Sequence, residues 1–252
     1  MRQLSIPEFQ SLYKYYFNIL IDFFEKYNIP YSLAYGTLLG AYRNNDMIEW
    51  DSDIDLFITK ESEELIRKNL SNLPDCFRFD NYADGNTFFM LNRVIIKNLF
   101  RKKGDSKREC WIDLFVVGAM DNKKENFAIW KKINKQLKIS DLKYRTNGKN
   151  FFKTFIRNFI GLFLPKRKKT NLICEKLHKK ITNLNHECFS GLYGICGVDF
   201  CDEYINLLFG DRYYKCFKNT KEILTHLYGD NFMTPKKYNV SVELFYLLED
   251  LK

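Results

Sequence analysis

Ile48-Glu49-Trp50-Asp51-Ser52-Asp53-Ile54-Asp55-Leu56-Phe57-Ile58 is the stretch whose reading decides the fold. Ile54 to Ile58 is short, apolar and β-branched enough to be a strand, with two acids at its start. Side chains at i and i+2 of a strand face the same side, so Asp53 and Asp55 point together while Ile54 turns into the core. Two convergent carboxylates make a hard-oxygen site suited to magnesium. A third acid, Asp113, lies within Trp111-Ile112-Asp113-Leu114-Phe115-Val116-Val117, a run that otherwise reads as a core strand. An acid there is costly unless it is paired or bound to a metal. It reads as a third ligand or a base, against the alternative of a capping or salt-bridged acid.

Working outward, Phe9, Leu12, Tyr13, Tyr16, Phe17, Leu20, Phe23 and Phe24 recur at steps of three and four, which predicts a helix over 6–27 ended by Asn28-Ile29-Pro30. Tyr31 to Tyr35 reads as a strand and Gly36-Thr37 as the turn out of it, with a short helix over 38–43. Such a turn presents free amides and a helix N-terminus to a phosphate. A charged helix follows over 60–72, then strand-like runs at 88–91 and 93–96, and a basic loop over 101–108. The pattern breaks at Asp121-Asn122-Lys123-Lys124. The expectation is an α+β protein, with residues 1–120 as a catalytic core and residues 121–252 as a mainly helical C-terminal part that completes the site.

Gly36-Thr37, then a D-x-D on a strand, then a single acid on a later strand is the layout of the nucleotidyltransferase (DNA polymerase beta-like) fold. Tyr35-Gly36-Thr37-Leu38-Leu39-Gly40-Ala41-Tyr42-Arg43 resembles the G-T-L-L-G-x-x-R signature of the LicD family. That family includes bacterial phosphocholine transferases and fukutin-type ribitol phosphate transferases. Ile48 to Asp55 resembles its I-P-W-D-D-D-I-D, with Glu49 for Pro and Ser52 for the middle acid. Ile112-Asp113-Leu114-Phe115 is similar to its I-D-I-F, although Val116-Val117-Gly118 replaces the Pro-Leu-Asp that follows. Leu227-Tyr228-Gly229-Asp230 to Pro235 is similar to its Y-G-D-x-x-x-x-P.

The resemblance implies a mixed-sheet core and transfer of a substituted phosphoryl group, phosphocholine from CDP-choline in first place, to a hydroxyl of a cell-surface glycan such as lipopolysaccharide or teichoic acid, with release of CMP. Asp53, Asp55 and Asp113 would hold Mg2+, with Mn2+ as the alternative ion, and carry the catalysis. Ser52 is expected to face away from the Asp53–Asp55 pair. Gly36 and Thr37 would receive phosphate. Arg43 is the candidate bidentate phosphate contact, against a salt bridge to Asp51 or Asp55. Arg93 and Lys97 are further phosphate candidates, against the reading of solvated strand cations. Trp50 is expected to pack the loop that aims Asp53, against the alternative of stacking on cytosine, and Tyr228 with Asp230 to form a structural turn, against the alternative of bordering the acceptor site. Two other functions fit the same residues: a nucleotidyltransferase that uses an NTP and releases pyrophosphate, and a binding module without activity.

The 252 residues, 46% hydrophobic and 17% aromatic, describe a folded protein and exclude a solvated low-complexity chain. The 40 Lys and Arg exceed the 31 Asp and Glu by nine. No nucleic-acid signature accompanies that excess, so no nucleic-acid partner is expected. Residues 149–169 instead alternate Phe with Lys and Arg, which suits either a core-facing helix or one lying on an anionic membrane that carries a lipid-linked acceptor. The expected location is cytoplasmic, with peripheral contact at the inner membrane face. Seven cysteines without a C-x-x-C pair read as thiols. The spacing of His186, Cys188, Cys196 and Cys201 fits no common zinc template.

Overall fold

A computed structural model of the chain describes residues 1–81, 91–103, 106–120, 181–182, 188–190, 194–195, 200–236 and 243–248. In chain order the elements are β1 (Arg2–Leu4), α1 (Ile6–Lys26), β2 (Ser32–Leu33), α2 (Tyr35–Asn44), β3 (Ile54–Ile58), α3 (Lys60–Lys68), a 3-10 turn (Leu70–Asn72), β4 (Phe77–Asp80), β5 (Asn92–Lys103) and β6 (Ser106–Met120). They continue with β7 (Ile181–Thr182), β8 (Cys188–Ser190), β9 (Gly194–Ile195), β10 (Tyr204–Phe209), β11 (Arg212–Phe217), α4 (Thr220–Tyr228) and β12 (Leu244–Leu247).

The main sheet has the order β1-β12-β5-β6-β3-β2. Its β3 and β6 pair in parallel, with Ile54 opposite Ile112, Asp55 opposite Asp113 and Leu56 opposite Leu114. Along that path the other neighbours are antiparallel. A β-bulge between Ile96 and Phe100 divides β5. Before it the outer edge pairs with β4, and beyond it with β12, so two short strands cover one long edge.

Helix α1 begins with a capping box, in which Ser5 and Glu8 satisfy each other's orphan groups. Its stripe of Phe9, Tyr13, Tyr16, Phe17, Leu20, Ile21, Phe23 and Phe24 is buried, and burying each such side chain contributes roughly 1.5–3 kcal/mol. Phe9 stacks on Phe245 of β12 with ring centroids 3.7 Å apart, Tyr16 meets Phe77 of β4, and Phe17 stacks on Tyr214 of β11. The Tyr13 hydroxyl donates to the Trp111 carbonyl and accepts from the Ile54 amide at 3.4 Å, tying the starts of both acid-bearing strands to α1.

The β10–β11 hairpin docks on the same helix. Arg212 donates to Asp22 at 2.6 Å and to Glu25 at 2.8 Å, and the Phe217 amide donates to Ser32 Oγ at 3.0 Å. Residues from both ends of the chain therefore share one hydrophobic core.

Two local expectations are corrected. Only Ser32–Leu33 of 31–35 is strand, because the chain turns into α2 already at Tyr35, where φ is +43°. The presumed basic loop 101–108 continues β5 and β6 as a hairpin, with Arg101 opposite Arg108 and Lys102 opposite Lys107. Of the C-terminal part read as mainly helical, the described residues contribute six strands and one helix, and residues 121–180 lie outside them. The expected boundary near 121, the stretch 149–169, His186 and Cys196 lie outside them, and of the expected strand 88–91 only Leu91 is described.

Candidate active site

Parallel pairing of β3 with β6, and antiparallel pairing of β6 with β5, sets Asp55, Asp113 and Arg93 in one row across three central strands. Directly opposed residues share a face of the sheet. Arg93 Nε donates to Asp113 Oδ1 at 2.6 Å, and Trp111 Nε1 donates to Asp113 Oδ2 at 3.0 Å. Both oxygens of Asp113 are thereby oriented, and the guanidinium lies 4.4 Å from the centroid of the Trp111 ring. Burial raises the Asp113 pKa, a rise that Arg93 and Trp111 limit. Asp55 is pushed well above the usual carboxylate range by burial, then by Asp113 and Asp53. The sequence alternatives for Asp113 thus meet in one place, since it is salt-bridged and also faces the acid cluster.

Asp51, two residues before Asp53, joins the cluster. Its Oδ1 accepts from the Ser52 amide at 2.9 Å, and burial together with the Asp53 carboxyl pushes it up to about 7. Its Oδ2 lies so close to Gly36 that a Cβ there would sit 2.6 Å from it. A side chain at 36 would therefore displace the Asp51 carboxylate from the acid cluster. Thr37, buried in the first turn of α2, accepts the Asp55 amide on Oγ1 at 2.9 Å, which locks the strand carrying the acids to that helix. Gly40 serves the same loop from one turn further on, since a Cβ there would meet the Asp46 carbonyl at 2.5 Å.

These residues open on a cavity of about 540 Å³ lined by Asp51, Asp53, Asp55, Asp113, Arg93 and Gly36, with Tyr35, Phe115 and Tyr228 as aromatic walls. Tyr35 packs on Phe57 and Phe115 with centroids 5.1 and 4.6 Å away. Its left-handed backbone is one that a bulky residue holds at a cost of about 1–3 kcal/mol, and such strain clusters at working sites. A second cavity of about 270 Å³ lies alongside and shares Gly36, Asp51, Asp53 and Tyr228 with the first. Arg43, Trp50 and Lys236 belong to this second space.

Of the residues singled out in the sequence, Asp53, Asp55, Asp113, Gly36 and Arg93 come together around the larger cavity. Thr37 supports it from within α2. Arg43 makes neither expected salt bridge among the described residues; it donates to Asn44 Oδ1 at 3.3 Å and lines the second cavity. Lys97 is exposed and lines neither space, four residues along β5 from Arg93, or about 13 Å of strand. Ser52 does not turn away as expected, since its hydroxyl donates to Asp53 Oδ1 at 3.3 Å. Asp51, Tyr35, Phe115 and Lys236 were not singled out as site residues. For Asp51 the signal was present, because the alternation that pairs Asp53 with Asp55 extends two residues back.

The donor set fits a magnesium ion of one particular kind. Among the described residues no three side chains converge into a ready metal cage. Magnesium characteristically takes one or two carboxylates and fills its shell with water and phosphate oxygens. Asp53 and Asp55 supply such a pair, and the repulsion that raises Asp55 is what a bound cation relieves.

Across the described residues no helix is long and apolar enough to cross a membrane. The chain is 26% identical to the lipopolysaccharide cholinephosphotransferase LicD of Haemophilus influenzae over 256 residues, which cover 93% of this chain and 94% of that protein. Residues 28–165 match the LicD/FKTN/FKRP nucleotidyltransferase domain, a span that takes in α2, the whole acid row and Arg93. More than half of the sequence, including every carboxylate of the larger cavity, thus follows one family pattern, and the chain belongs to the LicD/FKTN/FKRP nucleotidyltransferase-domain family.

Proposed function

We propose that this protein transfers phosphocholine from CDP-choline to a hydroxyl of a cell-surface glycan, on a nucleotidyltransferase fold and with magnesium held by Asp53 and Asp55. The observation that carries the reading is the register of Asp55, Asp113 and Arg93 across three strands, with Asp53 and Asp51 beside them on one cavity. The name of the Haemophilus relative supports the choline head group and the lipopolysaccharide acceptor.

The chemistry follows from these groups. The acceptor oxygen forms a bond to the choline-bearing phosphorus while the bond from that phosphorus to the bridging oxygen breaks. The electron pair of the broken bond leaves on CMP. Asp113, clamped by Arg93 and Trp111, receives the hydroxyl proton in this reading. Gly36 lines the cavity at the start of α2, whose free backbone amides receive the phosphate in this reading. A bound magnesium ion supplies charge compensation on the diphosphate and the departing CMP.

The test is CMP release from CDP-choline, CDP-ribitol and CDP-glycerol with magnesium and crude surface glycan, comparing the intact protein with Asp53→Ala and Asp55→Ala. Release from CDP-choline that both substitutions reduce by several orders of magnitude is the expected result. Consumption of an NTP to pyrophosphate with no CMP from any CDP donor refutes it, and full activity in both variants removes the acids from the mechanism.

A further inference from the structure

The smaller cavity sets two cations, Arg43 and Lys236, in the same space as Asp51 and Asp53 of the acid wall it shares with the larger one. Arg43, half-buried in the last turn of α2, and Lys236, just beyond α4, both line it, and neither has a carboxylate within ion-pair distance among the described residues. Cations held out of ion pairs on a cavity wall have donors to offer a phosphate, and a magnesium ion on the neighbouring carboxylates would favour the same anion. Trp50, Leu39, Ile48 and Phe232 give the same space apolar lining, while Asn231 and Thr234 add hydrogen-bonding groups. A planar ring bearing a phosphate satisfies all three features: apolar faces for the ring, amide and hydroxyl for its edge, two cations for its charge.

The position relative to the acids adds direction. Gly36, Asp51, Asp53 and Tyr228 face both cavities, whereas Asp113 and Arg93 face only the larger. An in-line displacement needs the attacking and leaving oxygens on opposite sides of the phosphorus. A phosphorus held at the shared wall would have the proton-accepting Asp113 on one side and Arg43 with Lys236 on the other.

Resting on the phosphotransferase reading above, we infer that the smaller cavity is the subsite for the nucleoside monophosphate part of the donor, and that head group and acceptor share the larger one. In the transfer step the bridging oxygen keeps the electron pair and departs with CMP into the smaller cavity. Trp50 accordingly contacts the pyrimidine in addition to shaping the loop, and Lys236 is a binding residue that the charge pattern of the sequence did not reveal.

The test uses the full chain and CMP as the probe, with calorimetric titration in the presence of magnesium and steady-state transfer in parallel. Lys236→Gln and Trp50→Leu are each expected to weaken CMP binding about tenfold or more, while Lys236→Arg keeps it and the acceptor KM stays unchanged. Lys218→Gln, which removes an exposed cation that is paired to Glu203 and lines neither cavity, controls for general charge. Lys236 is exposed, so its variants test the inference even where Trp50→Leu loses stability. Unchanged CMP affinity in both cavity variants with a raised acceptor KM overturns the inference, making the smaller cavity an acceptor site while the phosphotransferase reading stands. An intact protein that binds no CMP but consumes an NTP overturns the inference and the reading beneath it together.

Discussion

Asp51→Asn should make the metal-free protein more stable, and by an amount that depends on pH. In the fold the Asp51 carboxyl is pushed up to about 7 by burial and by Asp53, whereas its ordinary value is 3.8. A carboxyl whose folded pKa is raised binds more protons folded than unfolded. It therefore subtracts nothing below 3.8, and its cost grows as pH rises from there through 7. At 1.36 kcal/mol per tenfold change the full penalty is about 4 kcal/mol at pH 8 and about 1 kcal/mol at pH 4.5. Water reaching the wall through the cavity mouth and proton sharing with Asp53 cut the first figure to about 2 kcal/mol. For a chain of this length that corresponds to a rise in Tm of roughly 4–8 °C. Asparagine keeps the shape and the acceptor for the Ser52 amide, so little else changes. The assay is thermal melting in a chelating buffer at pH 8 and pH 4.5, repeated at pH 8 with millimolar magnesium, which should stabilise the wild type and narrow the gap. A variant that is less stable than wild type at pH 8, or a difference that does not change with pH, would show that the acid wall stores no electrostatic strain.

Three further outcomes follow from the geometry. Gly40→Ala places a methyl group 2.5 Å from the Asp46 carbonyl and should cost about 1–3 kcal/mol in denaturant titrations; an unaffected midpoint would mean that the 45–48 loop yields freely. Thr37→Val leaves the Asp55 amide without its acceptor and should cost about 1–3 kcal/mol and lower kcat, with Thr37→Ser restoring both, whereas equal behaviour of valine and serine would remove the hydroxyl from the argument. Arg93→Gln strands the buried Asp113 carboxylate; a loss of about 3–5 kcal/mol at pH 8 that shrinks in acid is expected, and a loss independent of pH would point to packing against Trp111 instead.

What the sequence made legible was whatever alternation governs. The period of two through Asp53, Ile54 and Asp55 and through Ile112, Asp113 and Leu114 marked two strands and the face bearing acids, and β3 and β6 carry them in register. The resemblance supplied the order of these pieces, and α2 with its two glycines shows why that pattern is needed, since each glycine gives way to a specific oxygen of the following loop. Residues 101–108 were misread for a physical reason. Like charges directly opposed on paired strands repel, so a run of Arg and Lys reads as loop. Here β12 holds the hairpin by pairing Leu244–Leu247 with Leu99–Lys102, and Arg101 turns inward to donate to the Ser52 carbonyl at 2.5 Å.

Lys97 and Lys236 separate the two ways in which a charged residue can be misjudged. Lys97 has the sign and the strand of a phosphate contact, yet a strand spreads its residues by about 3.3 Å each, so four positions carry it out of reach of the site that Arg93 lines. Lys236 has no local pattern at all, because nothing in a sequence tells how far the segment after α4 folds back. That distance is set by α4 itself, whose buried Thr220, Ile223 and Leu224 join it to the core, and by Phe232, whose ring meets Tyr42 of α2 at 5.7 Å. The same docking brings Tyr228 onto the wall between the two cavities. A motif near the C-terminus is thus tied to one near residue 40 through an aromatic contact that local periodicity cannot encode. Phe232→Ala should accordingly loosen the second cavity while leaving the acid row in register, so that CMP affinity falls more steeply than magnesium affinity. Equal losses of both would mean that the two cavities are built as a single unit.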